Sequence, residues 1–380
     1  MACQFLIKSS KVFIDGKFET GLNIAVSNGF ISSISETKTD STEIIDLTNL
    51  TLLPGFIDIH THGGNGFDAM DGTHHAVREV SKHKLREGVT SFCPTTMTAP
   101  VNKINLALEA AEKAAEEGMG AKIIGVFVEG PFISEKYKGA HPSEFIMEND
   151  ELAEFLSKHK NIISVAIAPE KAGSISAIEE YTKKGINFRL GHTGATYAEA
   201  EAAISAGGNI AIHTYNAMSP LTHREPGMVG AVLNDDRVYA ELICDGIHIA
   251  PEAMQVLYKC KGRDKIILIT DSMCAAGCPD GDYNLGELPV TVRDGIARTL
   301  NGALAGSTVT MNMAVKNMIE LVKVPVEHAI DMATINPARA LGLENVGLIT
   351  EGYAADLIAV DDVFNVRFVM IDGKIKINKN

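Results

Sequence analysis

Histidines and carboxylates recur at one kind of place in this chain: directly after short apolar runs. Residues 56–59 lead into His60-Thr61-His62, residues 123–128 into Glu129-Gly130-Pro131, residues 188–191 into His192-Thr193, and residues 210–212 into His213-Thr214-Tyr215-Asn216. Residues 239–244 lead into Asp245-Gly246-Ile247-His248, and residues 266–270 into Asp271-Ser272. Imidazole and carboxylate together suit zinc, iron, manganese or cobalt. Such a cation makes water acidic enough to serve as a nucleophile near neutral pH. His60 and His62 are two apart, so on a strand both face one side. That pair alone is weak, because core packing or chance produces it too. A solvated polar rim is the plain alternative, but it does not explain why a His or an acid follows six of eight apolar runs. The pattern points to metal-dependent hydrolysis.

Such ligands lie far apart in sequence, so the elements must bring them together. The eight runs are 56–60, 89–93, 123–128, 163–168, 188–191, 210–213, 239–244 and 266–270. Continuous apolar runs mark strands buried on both faces, as in a parallel sheet. Helical patterns fill the gaps: 101–117 has apolar residues at helical spacing behind Pro100, and Thr196-Tyr197-Ala198-Glu199 is a capping box. Eight such units predict a (β/α)₈ barrel, in which the strand C-termini form the active-site mouth. A doubly wound open sheet is the rival, but Gly63-Gly64-Asn65-Gly66 lacks the spacing and the following helix of its glycine fingerprint.

Both ends of the chain have a different texture. Short β-rich runs at 5–7, 11–14, 22–26 and 30–34 are separated by turns such as Asp15-Gly16 and Asn28-Gly29, and 357–360, 366–371 and 374–377 repeat the texture around Asp372-Gly373. We expect one small β-sandwich domain from residues 1–53 and 350–380, and a catalytic barrel over 54–349. The segment 274–306 is expected to be an insertion with a hairpin over the barrel mouth; loops of that length are usually functional.

Several motifs carry a resemblance. Pro54-Gly55-Phe56-Ile57-Asp58-Ile59-His60-Thr61-His62-Gly63 resembles the first-strand motif of the amidohydrolase superfamily, and Gly352-Tyr353-Ala354-Ala355-Asp356-Leu357-Ile358 its return into the small β domain. Many superfamily members use a carboxylated Lys to bridge two metals; here Glu129 stands in Val128-Glu129-Gly130-Pro131-Phe132. With Lys138-Gly139-Ala140-His141, Leu190-Gly191-His192-Thr193, His213-Thr214-Tyr215-Asn216-Ala217-Met218 and Leu304-Ala305-Gly306-Ser307, that motif resembles the N-acetylglucosamine-6-phosphate deacetylase family from about Lys8 to Lys376.

The resemblance implies roles. Glu129, His192 and His213 would hold a principal divalent metal. Because His60 and His62 are both present, a second metal is expected, bridged by Glu129 and touched by Asp271. Asp271 would take a proton from the attacking water and give it to the leaving amine, and His141 would help stabilise the oxyanion. Ala140, Asn216, Ala217, Leu304, Ala305 and Gly306 would contact a small phosphorylated amino sugar. Arg224 and His248 would meet its phosphate, Arg224 reaching across from the neighbouring subunit of a homodimer. Rivals are a galactosamine-epimer deacetylase, an amidohydrolase acting on a cyclic amide, and a non-catalytic scaffold; the last should show eroded ligands, and none is eroded. His74, His75, His83, His159 and His328 lie on helical stretches and read as structural or solvated.

Composition sets outer limits. The 380 residues suit one large and one small domain, and the net charge of −14 disfavours nucleic acid and anionic membranes. A few cations in a cleft still suffice for a phosphorylated substrate. Residues 1–8 show no secretory pattern, and no run approaches the ~18 apolar residues of a membrane span. Six scattered cysteines without a CxxC read as reduced thiols in a cytoplasmic protein. Cys274 and Cys278 as a metal or redox pair is the weaker reading.

Overall fold

The computed structural model describes residues 3–36 and 41–379. Eight parallel strands occupy the middle of the chain: β1 (Phe56–Thr61), β2 (Val89–Thr96), β3 (Val126–Val128), β4 (Ile162–Ile167), β5 (Asn187–Leu190), β6 (Ile210–Ala211), β7 (Tyr239–Ile243) and β8 (Ile266–Ile269). Each pairs with the next from β1 to β8. β8 then returns to β1 through backbone bonds at their C-terminal ends, Asp271 N–H to His60 O at 2.9 Å and His62 N–H to Ser272 O at 2.9 Å. The sheet is a nearly closed barrel, not an open one. Nearly every residue of these strands is buried, because helices cover the outside and side chains fill the inside.

The helices follow from local signals. α1 (His74–Arg86) is capped by Thr73, whose side chain accepts from Ala76 N–H. α2 (Val101–Glu117) starts after Pro100 and ends at Gly118 in the left-handed region. The predicted capping box opens α3 (Tyr197–Ala206), with Thr196 and Glu199 each bonding the other's backbone. α4 (Met311–Glu320) follows the insertion after β8. Ile104, Leu108 and Ala111 on α2 join the main core with Phe92 and Val128.

Both chain ends build one eight-stranded sheet. Its longest strands, Cys3–Ile14 and Ser41–Pro54, run parallel at its centre. Three two-residue turns behave as expected: Asp15-Gly16, Asn28-Gly29 and Asp372-Gly373 all have positive φ at both positions and join paired neighbours. A single apolar cluster joins Ile31 on an edge strand to Phe368 and Met370 near the other edge, so the sheet curls around its own core. The insertion after β8 is a three-stranded antiparallel sheet, Gly281–Leu285, Leu288–Arg293 and Ile296–Thr299, and not a single hairpin.

Candidate metal centre and active site

The ends of β1, β3, β5, β6 and β8 converge on Glu129. Its Oε1 lies 3.1 Å from His192 Nε2 and 3.1 Å from His213 Nε2, while its Oε2 lies 3.1 Å from His62 Nε2. His60 Nε2 is 3.5 Å from Glu129 Oε1 and 3.5 Å from Asp271 Oδ1; His62 Nε2 is 3.2 Å from the same Asp271 oxygen. Two groups of three potential ligands result, His60–His62–Glu129 and Glu129–His192–His213, sharing the carboxylate. All six side chains are buried.

Three of the imidazoles are held from behind at Nδ1, which fixes the nitrogen each presents. His60 Nδ1 is 2.9 Å from Glu241 Oε2, His62 Nδ1 is 3.2 Å from Thr95 O, and His192 Nδ1 is 3.0 Å from Tyr137 O. A carbonyl can only accept, so Nδ1 carries a proton in His62 and His192, and Nε2 is the nitrogen that faces the centre. His60 Nε2 is buried with no hydrogen-bond partner. His192 and His213 bring their Nε2 atoms within 3.0 Å of each other. A tetrahedral ion at ordinary ligand distances separates its donors by about 3.3 Å. An orphaned nitrogen and a tight triangle of donors therefore fit a divalent cation.

Electrostatics agree. Burial works against a charged His60, but Asp271, Glu129 and Glu241 outweigh it and raise its pKa well above the ordinary imidazole value. Burial likewise opposes charge on His62, yet Asp271 and Glu129 raise it to about 10. The carboxylates demand positive charge here, whether carried by protons or by a metal that displaces them. Asp271 resists burial through His60 and His62 and falls to about 2, so it is a carboxylate. His141 goes the other way: burial pushes it down to about 4, and it is neutral. Its Nδ1 accepts from Thr98 N–H at 3.2 Å, which leaves the proton on Nε2, 3.7 Å from Glu129 Oε2.

The backbone at these positions is strained. His192, His213, Ala217 and Asp271 all have positive φ, at 46°, 27°, 51° and 46°. Each such non-glycine residue costs of order 1–3 kcal/mol, and such strain gathers at functional sites. Gly130, at φ 74°, lets the chain pass beneath His141: a Cβ there would lie 2.0 Å from Thr98 Oγ1.

A cavity of about 190 Å³ opens onto the centre, lined by Ala140, His141, Asn216, Ala217, His248, Leu304, Ala305 and Gly306 together with every candidate ligand but His60. Arg224 is not among its lining; it sits exposed in the loop before Gly227–Asn234. His248 is held by Asp245, Nδ1 to Oδ2 at 2.6 Å. A larger chamber of about 700 Å³, lined by Met97, Lys138, His141, Phe145, Leu285 and Leu304 among others, adjoins it. The histidines expected on helices bind elsewhere: His328 meets Tyr258 at 2.7 Å, and His159, which lies in the loop after the helix Leu152–Ser157 and not on a helix as expected, meets Asn105 at 3.0 Å. Cys274 bonds Asn284 O at 2.8 Å, and neither it nor Cys278 belongs to a metal-capable group among the described residues.

Sequence reasoning missed Glu241 and Arg189. Glu241 holds His60 Nδ1 and also accepts from His213 N–H at 3.2 Å; Arg189 neutralises it at 2.9 Å and donates to Ile59 O at 2.8 Å. A charged residue inside an otherwise apolar strand was the available signal, because a barrel interior tolerates such a charge only when it is paired.

The model of the amidohydrolase family matches residues 51–376. This chain belongs to the amidohydrolase family. Among curated relatives, it is 41% identical over 354 residues to an N-acetylglucosamine-6-phosphate deacetylase of Vibrio furnissii, covering 92% of this chain and 88% of the relative. It is 43% identical over 329 residues to an N-acetylgalactosamine-6-phosphate deacetylase of Escherichia coli O157:H7, covering 85% and 87%. The crystal structure of the Pasteurella multocida N-acetylglucosamine-6-phosphate deacetylase superposes with a TM-score of 0.93 at 31% identity, over 98% of this chain and 100% of that one.

Proposed function

We infer that this chain removes the acetyl group of N-acetylglucosamine 6-phosphate, giving glucosamine 6-phosphate and acetate. The observation that carries the reading is the buried Glu129 carboxylate shared between two histidine pairs, with Asp271 beside one pair and a neutral His141 facing the carboxylate. Relatives of this name match over most of the chain.

Glu129, His192 and His213 would hold one divalent cation, and His60, His62, Glu129 and Asp271 a second. Zinc, iron, manganese and cobalt all suit nitrogen and carboxylate donors. When bound, the cation supplies Lewis-acid chemistry, acidifying water and polarising the acetamide carbonyl. Asp271, ionised, accepts a proton from the attacking water. His141 donates from Nε2 to the carbonyl oxygen as it gains negative charge. As the C–N bond breaks, Asp271 returns the proton to the amine nitrogen, so one water is consumed and the carboxylate is regenerated.

Asn216, Ala217, His248 and the backbone at Leu304–Gly306 would hold the sugar and phosphate. Among the described residues no Lys or Arg lines the smaller cavity, so a phosphate needs a cation from elsewhere. Arg224 of a second copy in a homodimer is our candidate. We set the domain boundaries at 53/54 and 349/350, within a few residues of where the outer sheet ends, at Pro54, and resumes, at Leu357. The five cysteines whose side chains are described are all free thiols, which favours a reducing, cytoplasmic setting. No helix among the described residues is long and apolar enough to cross a membrane.

The galactosamine epimer is the second reading, favoured by the 43% identical relative. Acetate release from both sugar phosphates, with Zn, Fe, Mn or Co supplied, decides between them. Release from the glucosamine derivative, lost in Asp271→Asn, supports the substrate and the role of Asp271. Turnover of the galactosamine derivative alone moves the assignment to the epimer, and no release from either removes both.

A further inference from the structure

The barrel seam between β1 and β8 has no strand ladder, yet His60, His62 and Asp271 all lie along it. Backbone bonds close only its upper end, where Gly63 N–H also reaches Ser272 O at 2.8 Å. Below that point side chains replace the ladder. Asp58 Oδ1 accepts from Thr270 N–H at 3.3 Å and from His60 N–H at 3.4 Å, and Asp58 Oδ2 accepts from the Thr270 hydroxyl at 2.6 Å. Lys84, from α1, places its ammonium in the same seam. It lies 3.1 Å from Asp58 Oδ2, 3.1 Å from Thr270 Oγ1, 3.0 Å from Ser272 Oγ and 3.2 Å from Glu87 Oε2. Glu87 Oε2 accepts from Met311 N–H at 3.0 Å, which ties in the start of α4.

Lys84, Asp58, Thr270 and Ser272 are wholly buried. A buried ion cluster is a poor source of stability, since apolar side chains of similar volume often do as well or better. It supplies direction instead. Lys84 donates to the hydroxyls of both chain neighbours of Asp271, whose own backbone is held at φ 46°. Asp58 joins Thr270 to the backbone of His60. We propose that Lys84 and Asp58 are positioning residues that fix the Asp271 carboxylate relative to the His60–His62 pair through Thr270 and Ser272. The proposal deepens the deacetylase reading and rests on the roles given there to Asp271 and the histidine pair.

Thr270 offers the cleanest test, because valine keeps its shape and removes the hydroxyl while serine keeps the hydroxyl. Thr270→Val, Thr270→Ser and Lys84→Met are compared with wild type in kcat, KM and thermal unfolding, and in the visible spectrum of cobalt-loaded protein. A displacement near 1 Å at a reacting centre can cost about 10²-fold in rate. We expect Thr270→Val to lose kcat on that scale with KM little changed and the cobalt bands shifted. Thr270→Ser should stay close to wild type in both. Equal kcat and identical cobalt spectra in Thr270→Val and wild type overturn the proposal, as does a Thr270→Ser variant as impaired as the valine. If wild type proves inactive on the sugar phosphate, the deacetylase reading fails by itself, and the cobalt spectra still report whether the seam positions the ligands.

Discussion

His141 and Asp271 stand at the same centre, one neutral and one ionised, and burial explains only the first. Burial drives the imidazole of His141 to its neutral form, with a pKa of about 4. A cation nearby would push it further the same way. His141 should therefore act as a neutral donor throughout the working range, and His141→Gln should lower kcat by about 10²–10³-fold, the scale of one lost oxyanion donor, without moving the acidic limb of the pH profile. Loss or displacement of the acidic limb in the variant would mean that His141 titrates in wild type. The stability consequence has a definite sign. With a folded pKa of about 4 and an unfolded value of ~6.5, the unfolded chain binds more protons between them. The wild type should thus lose stability relative to His141→Gln as pH falls from about 6.5 toward 4, read as the difference in urea midpoints at pH 7 and pH 4.5. Glu241 makes a separate case. Its carboxylate grips His60 and His213 from behind the centre, and Arg189 is its counter-ion. Glu241→Gln should weaken metal binding by about 10–100-fold, measured by competition with a chelator. It should also lower the melting temperature, since it leaves the buried Arg189 without its charge partner. Unchanged metal affinity would reduce Glu241 to a packing role.

Strand ends place these side chains, and the loops after them need unusual backbone. Gly130 is the sharpest instance: its φ of 74° and the 2.0 Å approach to Thr98 Oγ1 leave no room for a Cβ. Gly130→Ala should displace both Glu129 and the Thr98–His141 contact. Metal content per subunit should fall and activity with it, and full metal occupancy with wild-type kcat would show that the loop adapts. Much of this architecture was legible in sequence. Strands buried on both faces leave continuous apolar runs, and all eight runs match barrel strands. Their lengths were less clear: β6 is two residues, and the run 123–128 breaks at Gly125, whose φ is 130°. The strand Ser41–Pro54 was not read at all, because Asp46, Thr48 and Asn49 interrupt its buried Ile45 and Leu47. Site residues were legible where a polar side chain ends an apolar run. The seam was not, since Asp58 and Lys84 are distant in sequence and each reads as an ordinary lone charge until the barrel closes.

At the scale of the whole molecule the unanswered charge is the phosphate. The chain carries −14, and among the described residues the smaller cavity has no Lys or Arg in its lining. His248 is already tied to Asp245, and Arg224 is exposed outside the cavity. A dianion bound there without a cation would face an unfavourable field. Arg224 of a second copy resolves this if the two chains pair about a twofold axis, so that each completes the other's site. Arg224→Ala should then raise KM for the sugar phosphate strongly while leaving kcat, melting temperature and metal content near wild type. The decisive measurement mixes two impaired chains. Asp271→Asn lacks the proposed proton carrier but keeps Arg224; Arg224→Ala lacks the proposed phosphate contact but keeps Asp271. Coexpressed in equal amounts, half of the dimers contain one of each. In every such dimer one site has both an intact Asp271 and an intact Arg224 from its neighbour, so about one quarter of all sites should work normally at low substrate. An Arg224 acting within its own chain gives no restored site, and the mixture would show only the sum of its parents.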